Sequence, residues 1–501
     1  MSPVSPISPM QYLRPRSLQA LEDCLQQHPK AQLLAGGQSL LAAMRLGLTQ
    51  PSHLVDLQDL PELQNIQLEH DHVWIGAMVT HARIAAHAEL QRHHPMLAQL
   101  AAGIADPQVR NVGTLGGSLA NNDPAACWPA GVLAYGATVK TNRRELSGDA
   151  FFTDLFTTAL QPSEVLLGVR FPACASAHYV KYEQPASRFA MVGVAVTRAN
   201  GQLHSPVRVA ITGLGHGVRL WPQAQAALQA QWSVRALNGL HLPEEWALSD
   251  VHASASYRAH LSAVLCRRAV AAVTGESASL AAPTTPTTPT TPATPATPTS
   301  FRPQIAAPIA HPATLHEGAI NGSHHLPHSL RAVWQALLDP GVLQPCIPGC
   351  EALQRLDETH YSAVVKVGLG PVSARFVTQI QLTPVRTPDQ GEPTECHLHV
   401  AGDAGNLGQG SATVVVQMHS EASPNGEPGT RLVWLATPQV SGRLAQLGNR
   451  LLQASARSLS AQFFVRFTQI SYGARPAPAS SSFFDACCSR LMRWLEHFFK
   501  R

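Results

Sequence analysis

Residues 112–124, VGTLGGSLANNDP, decide how this chain is read, together with residues 34–41, LAGGQSLL. Each is a glycine pair followed by small hydroxyl or amide residues, a composition that lets backbone N–H groups close on an anion with no Cβ in the way. Two such turns can grip the two phosphates of a dinucleotide. Neither fits the G-x-G-x-x-G of a doubly wound dinucleotide fold or the G-x-x-x-x-G-K-[ST] of a P-loop, which makes the common phosphate-binding folds poor candidates. A third cluster, Gly213-Leu214-Gly215-His216-Gly217, follows a strand but lacks the third glycine at fingerprint spacing and reads as a plain turn.

Outward from the first turn, Leu18, Leu21 and Leu25 fall on one helical face, residues 32–35 read as a short strand, and residues 40–45 begin a helix whose N-terminal amides point toward an anion. VWIGAMV, ATVKT, VLLGVRFP, MVGVAVTR and VRVAITGLG read as strands, with helices over residues 81–90, 96–104 and 255–270. Pro283, Pro286, Pro289, Pro292, Pro295 and Pro298 then recur every three residues, the period of polyproline II. At about 3.1 Å per residue this semi-rigid linker spans roughly 50 Å. A second folded region follows: the helix SLRAVWQALLDPGVL, five antiparallel strands from HYSAVVKVGLG to TRLVWLAT, and the long helix SGRLAQLGNRLLQASARSLSAQFFVRF, whose Leu444, Leu447, Leu451 and Leu452 can cover the sheet. The final SSFFDACCSRLMRWLEHFFKR carries an apolar face opposite charges and fits an interfacial membrane helix, or a helix docking on the protein itself.

At 501 residues, 14% charged and a net charge of +4, the chain needs two or three domains and carries no basic stripe for nucleic acid. Nine scattered cysteines form no disulfide framework and are expected to be reduced. No export signal or apolar run of about eighteen residues is seen, so a cytoplasmic protein is expected. Cys346-x-x-x-Cys350 has no partner pair at zinc spacing and reads as structural. His311, His316, His324, His325 and His328 read as solvated residues of a polar loop.

LAGGQSLL, IGAMVTHARI (75–84) and IADPQVRNVGTLGGSLANNDPAACWPA (104–130) resemble the FAD-binding medium subunit of molybdenum hydroxylases, of the carbon monoxide dehydrogenase type. The similarity continues through KYEQPASRFAMVGVAV and VHASASYRAHLSAVLCRRAV to about residue 272. LLDPGVLQPCIPGCEAL and SGRLAQLGNRLL are similar to the G subunit of carbon monoxide dehydrogenase, a START-like, polyketide-cyclase type of domain, over about residues 314–471. The implied fold is α+β: a two-subdomain FAD-binding domain of the molybdopterin dehydrogenase type (1–175), its α+β C-terminal subdomain (176–275), a disordered Pro/Thr linker (276–313), a helix-grip START-like domain (314–472), and a linker with an amphipathic membrane-associating helix (473–501).

The same resemblance implies non-covalent FAD. Ala35, Gly36, Gly37, Gln38, Ser39 and Leu40, with Thr114, Leu115, Gly116, Gly117 and Ser118, fall at the pyrophosphate and ribityl chain, mostly through backbone amides. Asn121 and Asp123 fall toward the adenosine end, and Leu166 and Lys181 near the isoalloxazine and its polar edge. Cys127 stands where medium subunits often carry an acidic residue that contacts the adenosine, so that contact falls to Asn121 or Asp123. No catalytic side-chain constellation and no metal site are expected in this chain, because a flavin performs its own redox chemistry. The implied partners are an iron–sulfur small subunit and a molybdopterin large subunit in a dimer of heterotrimers, the inner face of the cytoplasmic membrane, and quinone or another electron acceptor. The rival expectation is a flavin-free lipid- or quinone-binding adaptor.

Overall fold

The computed structural model describes residues 10–199, 206–215, 217–250, 252–276, 320–369, 372–385, 394–422, 428–447 and 449–471. The Pro/Thr repeat, His311, His316 and the apolar-faced stretch from residue 483 onward lie outside the described residues.

The chain opens as β-α-β. Strands Gln11–Leu13, His53–Asp56 and Gln32–Leu34 form a parallel three-stranded sheet with His53–Asp56 in the middle. Helix Leu18–Gln27, capped by the Ser17 hydroxyl, lays Leu21 and Leu25 into the core beside it. A five-stranded antiparallel sheet follows in the order Ile66–Leu68, His72–Gly76, Leu166–Pro172, Thr138–Thr141, Glu145–Ser147. Its core takes in Trp128, Phe151 and Phe171, and helix Trp128–Tyr135 is buried on every side, as its uniformly apolar sequence requires. A four-stranded antiparallel sheet, Cys174–Glu183 to Arg219–Leu220, packs against the twenty-residue helix Ala255–Thr274.

The second half is one seven-stranded antiparallel sheet in the order Ile320–Leu326, Pro428–Val440, Gln409–Ala422, Glu395–Asp403, Val372–Val385, His360–Leu369, Cys350–Arg355. Ile320–Leu326 corrects the sequence expectation. INGSHHL is an edge strand paired with Pro428–Val440, not a loop, and His324 is half-buried with its ring stacked 4.0 Å from that of Phe464. Helices Leu330–Leu338 and Pro340–Cys346 and the long helix Asn449–Ser471 complete the layer. Phe464 and Phe467 of the long helix cover the sheet against Trp334 and Trp434, and Leu444 is buried just before it. Cys346 and Cys350 are free thiols bonded to nearby carbonyls, and burial pushes the Cys346 thiol up to about 11. The two halves touch where the long helix meets the hairpin after Phe151: Ser458 donates to the Asp154 carboxylate at 2.9 Å, and the Gln462 amide donates to its other oxygen.

Candidate functional site

The two glycine pairs meet at one cleft of about 750 Å³, within the range of cofactor sites. They are built differently. Residues 34–41 leave strand Gln32–Leu34 and enter helix Leu40–Arg45, and Gly37 takes φ +68°, a left-handed conformation that favours glycine. Among the described residues, the backbone N–H groups of Gly36, Gly37, Gln38, Ser39 and Leu40 donate to no acceptor. Five successive free donors beside a cleft, with no carboxylate on the turn, make a cradle for an anion.

The second pair is not a turn but the start of a helix, Leu115–Asn121, with Thr114 as its N-cap. Its amides are already used. Leu115 N–H donates to Val79 O at 3.0 Å, Gly116 N–H to Ala77 O at 2.8 Å, and Gly117 N–H to the Thr114 hydroxyl at 3.1 Å. Here the glycines serve close packing. A Cβ on Gly116 would lie 2.6 Å from Ala77 Cβ. One on Gly36 would lie 2.3 Å from Val112 O and 2.7 Å from Gly113 Cα, so the two segments touch backbone to backbone.

Ala35, Gly36, Gly37, Gln38, Ser39, Leu40, Thr114, Gly116, Gly117, Ser118, Asn121, Asp123 and Leu166 all line this cleft. Leu115 and Lys181 do not. Leu115 is fully buried in the core below. The Lys181 ammonium donates to Gly103 O and Arg188 O, both at 2.6 Å, and ties together two loops that flank the cleft. Asp123 accepts from the Ala125 N–H at 2.8 Å, fixing the loop that carries Cys127 into the lining. Burial pushes the Cys127 thiol up, and the buried Tyr179 phenol lies against it. The wall therefore offers an uncharged S–H at Cys127. The Glu164 carboxylate also lines the cleft. Burial opposes its charge, but Arg144 at 2.9 and 3.0 Å, the Gln161 N–H and the Thr141 hydroxyl outweigh that and hold its carboxyl below the usual range.

Nothing in the sequence signals the strained wall. Among the described residues, five non-glycine residues have left-handed φ: Ala105, Asn122, Phe156, Ser163 and Arg188. Four of them line the cleft, and Asn122 sits between the lining residues Asn121 and Asp123. Such conformations cost about 1–2 kcal/mol each for an L-residue, and their concentration here marks the cleft as the functional part of the fold. His81 is a further lining residue that sequence reading missed. Its only local signal is its place as the first residue of a helix capped by Thr80. The Gly213 turn is structural, as expected: Gly213 N–H donates to Pro124 O, Arg258 grips Gly213 O, and the Thr212 hydroxyl reaches the carbonyls of Pro124 and Ala126. It braces the Asp123 loop from the neighbouring subdomain.

An anion cradle opening on a long cleft of mixed polar and apolar lining is the geometry of a dinucleotide-cofactor domain. Residues 8–174 match the FAD binding domain in molybdopterin dehydrogenase, and residues 322–470 match the G subunit of carbon monoxide dehydrogenase (CoxG). The nicotine 6-hydroxylase medium subunit of Paenarthrobacter nicotinovorans is 33% identical over 280 residues, covering 52% of this chain and 96% of that one. The carbon monoxide dehydrogenase medium chain of Hydrogenophaga pseudoflava is 34% identical over 256 residues, covering 48% and 88%. Among solved structures, reconstituted CO dehydrogenase from Oligotropha carboxidovorans matches with a TM-score of 0.50 and 27% identity, over 54% of this chain and 99% of that chain. The chain belongs to the FAD-binding medium subunits of the molybdenum hydroxylases, extended at its C-terminal side by a CoxG domain. It is an FAD-dependent oxidoreductase subunit of α+β fold.

The cleft fits that cofactor. The free amides of residues 36–40 suit the pyrophosphate, and the apolar side chains of Leu160, Val165 and Leu166 suit a flat ring system.

Proposed function

We propose that this chain is the electron-output module of a molybdenum hydroxylase and brings that module to the membrane through its fused domain. When bound, FAD exchanges electrons between partners that handle them singly and in pairs. The chain's own residues do the rest. Amides 36–40 hold the pyrophosphate, Thr114 and Ser118 add hydroxyls beside it, and Asn121 or Asp123 meets the adenosine end. Leu166 packs against the ring system, and Lys181 acts indirectly by fixing two flanking loops. The observation that carries this reading is the row of five unpaired N–H groups facing the cleft, which a flavin-free adaptor would have no reason to keep.

Electrons arrive from the 2Fe–2S clusters of an iron–sulfur subunit, fed by a molybdopterin subunit that selects the substrate, and leave to a quinone. The relatives named for nicotine and carbon monoxide support this assignment of specificity to a partner. The CoxG domain, with the stretch after residue 482, recruits the assembly to the inner face of the cytoplasmic membrane and holds a quinone or lipid tail. No helix among the described residues is long and apolar enough to cross a membrane. Residues 1–175 and 176–275 act as the flavin unit, 276–313 as the spacer and 314–472 as the carrier.

Anaerobic reoxidation of the reduced full chain by menaquinone-loaded vesicles tests this reading. Cutting the chain after residue 276 should leave flavin content unchanged and slow reoxidation at least tenfold. Equal rates, with equal vesicle binding by both forms, would remove the membrane role.

A further inference from the structure

His81 carries a polar group that the fold does not use. Its backbone N–H donates to Gly113 O at 2.9 Å, and its ring lies against Gly113, where a Cβ would come within 3.1 Å of both Cδ2 and Nε2. The indole N–H of the fully buried Trp128 donates to His81 Nδ1 at 3.1 Å. An indole nitrogen can only donate, so Nδ1 must present its lone pair and the ring proton sits on Nε2. Among the described residues the ring makes no other hydrogen bond. The residue is 4% exposed and lines the cleft. Burial, with Arg110 nearby, draws its pKa down to about 4, so at neutral pH the group is an uncharged donor.

The chemistry that this N–H meets follows from its neighbours. Gly113 is the residue that Gly36 touches, and Gly36 opens the run of five free amides. The ring edge carrying Nε2 and the start of the free-amide run therefore meet at Gly113, on one cleft. We infer that His81 donates a hydrogen bond to the phosphate-bearing segment of the bound dinucleotide, and that Trp128 is the positioning residue that fixes the donating tautomer. This rests on the FAD reading and adds a side-chain donor to a cradle expected from the sequence to be mostly backbone. It also explains why the second glycine segment, whose own amides are spent, still borders the site.

The test uses the full chain stripped of flavin, titrated separately with FAD, ADP and riboflavin. His81→Phe keeps a flat ring and removes the donor; binding of FAD and of ADP should weaken about tenfold or more, the scale for a lost hydrogen bond to a charged acceptor, while riboflavin affinity stays unchanged. His81→Gln, which keeps an N–H, should recover part of that loss. Trp128→Phe should weaken FAD and ADP severalfold by releasing the tautomer. A role in folding alone would weaken all three ligands together. In the unsubstituted protein, imidazole 15N NMR should show Nε2 protonated, and the Nε2–H resonance should shift on adding ADP but not riboflavin. If His81→Phe binds ADP as tightly as the parent, if ADP and riboflavin weaken equally, or if the proton resides on Nδ1, the inference fails. Loss of FAD binding in the unsubstituted chain itself would instead overturn the flavin reading beneath it.

Discussion

The two glycine pairs look alike in sequence and do opposite work in the fold. Gly36-Gly37 opens a turn whose amides are left free, whereas Gly116-Gly117 sits in the first turn of a helix whose amides are all engaged. The first pair is a donor surface. The second is a spacer whose Gly116 lets the helix start pack on Ala77, while the backbone contact between the two segments is made by Gly36 against Val112 and Gly113. A glycine pair thus signals close approach without saying whether the approaching group is a ligand or the protein itself.

Perturbing the two sides should separate these roles. The largest effect falls on the buried ring wedged beside the second segment. Because burial lowers the pKa of His81 from 6.5 to about 4, the unfolded chain takes up a proton there before the folded one does. Its contribution is therefore complete above pH 6.5 and is lost as pH falls toward 4, by about 3 kcal/mol across that window. The drop in unfolding free energy between pH 7 and pH 4.5, measured by denaturant titration of the flavin-free chain, should shrink by that order in His81→Phe. An unchanged drop would mean that the ring titrates normally.

Gly36→Ala comes next. Its Cβ would collide with the backbone at Val112 and Gly113, which cannot swing aside, so about 2–3 kcal/mol of stability should go, together with FAD. Calorimetry of the flavin-free protein should record the loss, and a wild-type midpoint would deny the backbone contact. Gly37→Ala should be milder. It strains a left-handed φ of +68° at about 1–2 kcal/mol and meets only side-chain carbons, of Leu41 at 2.7 and 3.0 Å and of Leu34 at 3.2 Å. Flavin affinity should fall more than stability does, since the free amides shift while the second segment stays in place.

Much of the flavin half was legible because its signals are local: periodic strands, the leucine spacing of the first helix and the first glycine turn, whereas Leu166 was named from the family resemblance. What escaped reading depends on long-range partners. His81 and Trp128 are 47 positions apart, and Lys181 spans to a carbonyl 78 positions away, so neither role has a local signature. Helix Leu115–Asn121 was hidden because two glycines in its first turn argue against a helix, while Thr114 and the bonds to Ala77 and Val79 impose one. Strand Ile320–Leu326 was missed because INGSHHL lacks an alternating apolar face; its pairing comes from Pro428–Val440, over a hundred residues later. Phe464 and Phe467 cover the second sheet from a helix whose leucines are the more conspicuous apolar residues in sequence.

The central claim, FAD held in the cleft between these two segments, is tested most directly at Gly117, which lines the cleft and where a Cβ meets only Thr114 Oγ1 at 3.0 Å and Ala35 Cβ at 3.3 Å. The ratio of flavin absorbance to protein should be read for the full chain, for Gly117→Asn and for Gly117→Asp, with thermal midpoints confirming that all three are folded. Stoichiometric FAD in the parent, a reduced share in the neutral variant and none in the isosteric charged one is the predicted result. A folded parent without flavin, or Gly117→Asp retaining FAD as fully as the parent, would contradict it.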